Sequence, residues 1–101
     1  MKQPVISART RRVIEAAVRA NLGEQKLRSL AIRPDVDPFG KDALEIELQF
    51  AAADQPLPRG YRNAMALAIS DALVAQDEER FPYVEFRFDE APVVKDRERA
   101  S

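Results

Sequence analysis

Between Asp42 and Phe50 the chain alternates strictly, with Leu44, Ile46, Leu48 and Phe50 separated by Glu45, Glu47 and Gln49. A period of two is that of a strand with one dry and one wet face, so this stretch predicts a central strand. Upstream, Val13, Ile14, Ala17, Val18 and Leu22 recur at the spacing of a helix face. Ser7 stands before them as an N-cap and Gly23 after them as a stop, which predicts a helix from Ser7 to about Leu22. Lys26 to Arg33 reads as a first strand, Leu30 and Ile32 on one face and Ser29, Ala31 and Arg33 on the other, with Pro34 ending it. A second helix is expected from near Arg59 to about Asp77, its inward stripe being Tyr61, Met65, Ala68, Ile69, Ala72 and Leu73. Tyr83 to Asp89 is then a third strand with Val84, Phe86 and Phe88 inward.

The predicted order is α-β-β-α-β, an α+β fold with a three-stranded sheet and both helices packed on one face. The first two strands are expected to form an antiparallel hairpin, and the crossover helix should make the third parallel to the second, by a right-handed connection. Periodicity reports the face of a strand and not its neighbour, so the place of the third strand beside the first or the second stays open. At 101 residues the chain suits one domain, expected over 7–91, with a flexible arm over 1–6 and a flexible tail over 92–101.

Composition narrows the chemistry. The chain holds no cysteine and no histidine. That excludes disulfides, thiolate nucleophiles, thiolate metal sites and every triad built on imidazole. No apolar run approaches the length of a membrane span, and the first ten residues lack a secretory core, so a cytoplasmic location is expected. A net charge of −1 supplies no global field to recruit nucleic acid or an anionic membrane. Its distribution is uneven: Met1 to Arg33 carries eight basic and two acidic residues, and Pro34 to Pro58 one basic and six acidic.

Each candidate site competes with a plainer reading. Asp35, Asp37 and Gly40 fall where a calcium-binding loop places two ligands and its glycine, but Phe39 and Ile46 occupy two positions that need oxygen ligands. A hairpin loop whose aspartates bond their own backbone is the expectation, with no metal and no other cofactor. Glu45, Glu47, Glu85 and Arg87 are expected to be cross-strand charge pairs, because paired acid–base carboxyls require a desolvated pocket. No glycine-rich phosphate loop is present, and neither an enzyme nor a small-molecule substrate is expected. Leu67 and Val74, seven residues apart, fall on the side of the second helix away from its inward stripe. They are the candidate contact for an unknown protein partner or a weak homodimer. Arg9, Arg11, Arg12, Arg19 and Lys26 form the candidate contact for nucleic acid, the less favoured reading, since no aromatic residue is interleaved for base stacking.

The α-β-β-α-β order, with a basic first helix and the third-strand sequence FPYVEFRFDEAP, resembles that of some KH-like RNA-binding folds. That resemblance implies an RNA-binding role. A KH module clamps the RNA backbone with a Gly-x-x-Gly turn, and here only Gly60, within Pro58-Arg59-Gly60-Tyr61, lies near the corresponding region. The leading expectation is a non-catalytic interaction module using Leu67 and Val74 or the free edge of the sheet.

Overall fold

A computed structural model describes residues 6–52 and 56–90. The expected arm up to residue 5 and tail over 92–101 lie outside the described residues. The order is α1 (Ala8–Ala20), β1 (Leu27–Val36), β2 (Asp42–Phe50), α2 (Tyr61–Ala75) and β3 (Phe81–Phe88). β1 pairs antiparallel with β2, and β3 pairs parallel with β2 on its other side. The sheet order β1-β2-β3 settles the neighbour of the third strand, and it leaves β1 and β3 as the two edges.

The core follows the central strand. Leu44, Ile46, Leu48 and Phe50 are wholly buried, joined by Ile14 and Val18 of α1, Ile32 of β1, and Met65, Ile69 and Leu73 of α2. The apolar stripe of each helix therefore meets the dry face of β2, and burying such side chains stabilises the fold by about 1.5–3 kcal/mol each. Val84, Phe86 and Phe88 pack against this core but are only half-buried, because among the described strands β3 has a neighbour on one side alone. Phe50 stacks on Phe86 and Phe88 at centroid distances of 6.1 and 5.2 Å and meets Tyr61 edge-on at 6.3 Å.

The helices run antiparallel, tied at both ends by polar contacts. Gln76 donates to the Thr10 hydroxyl at 3.1 Å at one end, and the Tyr61 hydroxyl donates to the Leu22 carbonyl at 2.9 Å at the other. Ser7 caps α1 as expected, its Oγ accepting from the Thr10 N–H at 3.0 Å. Thr10 is buried on the inward side, where it also bonds Ser7 and Gln76, and it was not part of the apolar pattern. α1 stops at Ala20, two residues short of the expected end, because the Asn21 N–H bonds the Val18 carbonyl and its side chain caps the Ala17 carbonyl at 2.8 Å. α2 starts at Tyr61 and not at Arg59, because Gly60 holds φ +80°, a left-handed conformation outside the helix that favours glycine.

Pro34 does not end β1, which continues to Val36. The hydrogen-bond phase explains why. The Asp37 N–H bonds the Lys41 carbonyl at 2.8 Å, and the register continues as Asp35 opposite Ala43, Arg33 opposite Glu45 and Ala31 opposite Glu47. Antiparallel pairs alternate between exchanging both bonds and exchanging none. Pro34, opposite Leu44, falls in the second class, so its nitrogen faces the free edge and no ladder bond is lost. The same logic applies to β3, which starts two residues earlier than expected, at Phe81. The Asp89 N–H bonds the Phe50 carbonyl at 2.9 Å, so Arg87, Glu85 and Tyr83 turn their backbone groups to β2. Val84, Phe86 and Phe88 turn theirs outward, and Pro82 sits in that outward set at the start of the strand, where a missing N–H costs no pairing.

Candidate functional site

The outer face of the sheet is a charge ladder. Arg33 on β1 meets Glu45 and Glu47 on β2 at 3.2 and 3.3 Å, and Arg87 on β3 meets Glu47 at 3.1 Å and Glu85 at 2.9 Å. At one end Asp89 accepts from Gln49 at 2.9 Å and pairs with Arg28 at 3.5 Å. The two glutamates beside Arg33 hold its guanidinium protonated beyond its ordinary range, chiefly through the hydrogen bond that Glu45 accepts from it. This is the expected cross-strand pairing: each of these carboxylates faces a cation and none stands in a desolvated pocket.

The loop between β1 and β2 is tied by its own aspartates. Asp37 accepts from the backbone N–H groups of Phe39 and Lys41, both at 2.9 Å, and Asp35 accepts from the Val36 N–H at 2.8 Å. Gly40 completes the turn at φ +83°. Among the described residues, no group of three or more acidic side chains converges where a metal ion would sit. A depression of about 860 Å³, open to solvent, lies between this hairpin and the turn after α2. Asp35, Lys41, Asp42, Glu78 and Arg80 line it. Glu78 binds Arg80 with both oxygens at 2.8 and 3.1 Å, which keeps that guanidinium charged above its ordinary range.

The helical side carries both sequence-derived candidates. Arg9, Arg11, Arg12 and Arg19 are exposed on α1, and none pairs with an acidic group among the described residues. Lys26 is exposed too, but it precedes β1, with its carbonyl accepting from the Ala51 N–H at 2.9 Å. The structure therefore groups the four arginines on one helix and leaves the lysine at the start of a strand. Leu67 and Val74 are 62 and 67% exposed on the outer side of α2. No described helix is long and apolar enough to cross a membrane.

The β3 edge adds residues that sequence reasoning missed. Phe81, two residues before the expected strand start at Tyr83, belongs to the strand and is 57% exposed; it meets Tyr83 edge-on at 4.9 Å on the outer face. On the inner face, Arg62 lies over the rings of Phe86 and Phe88 at 5.2 and 5.9 Å, within reach of a cation–π contact. The available signal was the composition of FPYVEFRF: aromatic residues stand on both parities of one strand, which a strand with one solvated face does not need. Comparison of the chain with protein-family models, with curated proteins and with solved structures returns no match.

Proposed function

We propose that this chain is a non-catalytic, cytoplasmic protein-interaction module, with the β3 edge and the Leu67/Val74 side of α2 as its contact surfaces. The observation that carries this reading is the state of β3. It turns the N–H and C=O groups of Val84, Phe86 and Phe88 away from β2, and presents apolar side chains on both faces, along a sheet edge that no other described strand covers. Such an edge is what strand addition uses, main-chain bonds giving affinity and alternate side chains giving specificity. Leu67 and Val74 add exposed apolar surface on the helix that crosses to β3. The absence of histidine and cysteine, and carboxylates already held by arginines, support the non-catalytic part.

The immobilised chain is expected to retain a protein from a lysate of its source, and the double variant Leu67→Ser and Val74→Ser to retain less of it. Retention of nothing by a chain that also stays monomeric contradicts the module.

A second reading, an RNA- or DNA-binding domain using Arg9, Arg11, Arg12, Arg19 and Lys26, is favoured by one observation. Four exposed arginines on a single helix without carboxylate partners among the described residues leave their forked donors available to phosphate. Under this reading, affinity for short mixed RNA falls steeply with salt and is lost on changing Arg12 and Arg19 to Glu. Binding that is insensitive to both changes rejects it.

A further inference from the structure

We infer that the partner of the β3 edge is a second copy of this chain, joined by a two-fold antiparallel β3 pair centred on Phe86, so that two sheets run on as one of six strands. This rests on the interaction-module reading above and names its partner and its register.

The backbone phase limits the choices. Only Pro82, Val84, Phe86 and Phe88 turn their backbone groups outward along β3, so a two-fold pair must set members of this set against one another or between one another. Centring on Phe86 sets Phe86 against itself and Val84 against Phe88 of the second copy, and each of these pairs exchanges both of its hydrogen bonds. Every donor required is present. Centring on Val84 instead sets Phe86 against Pro82, which has no N–H to give. Centring on Glu85 sets two like charges directly opposite, which is unfavourable.

The side chains select the same register. About Phe86, Glu85 of each copy faces Arg87 of the other, and Tyr83 faces Asp89. Arg87 already bonds Glu85 of its own strand at 2.9 Å and Glu47 at 3.1 Å, so the two-fold closes a patch of alternating charge on the solvated face. On the inner face, half-buried Val84, Phe86 and Phe88 gain further apolar neighbours on the side turned away from β2. Charge complementarity and hydrogen-bond phase thus both favour this self-pairing over those centred on Val84 or Glu85.

Sedimentation equilibrium of the full chain across a concentration series tests this, with Glu85→Lys and Arg87→Glu as variants and circular dichroism confirming that both fold. The wild type is expected to show a monomer–dimer equilibrium. Each variant alone sets like charges opposite one another and should weaken the dimer by about tenfold or more. An equimolar mixture of the two variants restores opposite charges at both crossings and should recover association. A wild type that stays monomeric to about 1 mM, a protein–protein affinity too weak to matter, overturns the dimer. So does a dimer that both variants leave intact, or one that the mixture fails to restore. Loss of the dimer on changing Leu67 and Val74 to Ser, with the β3 variants silent, overturns it in favour of the α2 face and leaves the module reading standing. A monomeric chain that still captures a lysate protein likewise overturns only this inference, whereas a monomeric chain that captures nothing overturns both.

Discussion

Tyr61 does two jobs at one position. Its ring packs edge-on against Phe50 in the core while its hydroxyl donates to the Leu22 carbonyl at 2.9 Å, holding the end of α1 to the start of α2. Burial pushes its ionisation above the ordinary value of 10.0. The bond to a carbonyl needs the proton, which reinforces the same direction. Since the folded value is raised, the contribution to stability is complete below pH 10 and is lost as the pH rises through the folded value. Tyr61→Phe keeps the ring and removes both the bond and the titration. It should cost about 0.5–1.5 kcal/mol at neutral pH, and the difference between the two proteins in urea melts should shrink above pH 10. A gap that stays constant from pH 7 to 11 contradicts this account. Gln76 shows the opposite economy at the other end of the helix pair. Its nitrogen bonds Thr10, but its buried Oε1 finds no partner among the described residues.

At the scale of elements, β2 is the strand whose removal no other element could survive. Leu48 at its middle is wholly buried, so Leu48→Ala should cost about 2–5 kcal/mol, seen as a lower urea midpoint with an unchanged slope. Val84→Ala on the half-buried β3 edge should cost about 1 kcal/mol. Costs that come out equal would show that β3 is held as firmly as the centre. β2 was also the most legible element, its predicted bounds of Asp42 to Phe50 matching the structure to the residue. Strict alternation between neighbours of opposite polarity leaves no other period available. The strand order was not legible, because alternation fixes which face a residue takes and says nothing of which strand lies beside it. Pro34 misled for a related reason: a proline ends a strand only when its nitrogen points to a partner, and that phase depends on the Asp37–Lys41 bond, which no spacing reveals. Thr10 and Phe81 were missed because a polar residue on a buried helix face and an aromatic one on a wet strand face both break the pattern being counted. The exposure of Leu67, Val74 and the arginines of α1, by contrast, could be read from helical spacing alone.

For the whole molecule, the consequence lies in the parallel pair of β2 and β3, where Ala43 stands opposite Phe81 and Phe50 opposite Phe88. The β1–β2 hairpin closes across a short turn, but this second pairing joins segments with a full helix between them. Closing the longer loop costs more chain entropy before any contact repays it, so the hairpin and the helices form early and β3 docks late. Val84→Ala should then speed unfolding several-fold and leave the folding rate nearly unchanged, as stopped-flow chevrons would record. An equal effect on the folding arm would place β3 in the nucleus. β3 is also the last of the five elements to leave the ribosome. Until it arrives, β2 shows a bare edge above Leu44, Ile46, Leu48 and Phe50, and a nascent chain halted after α2 offers that edge to strand pairing with other chains.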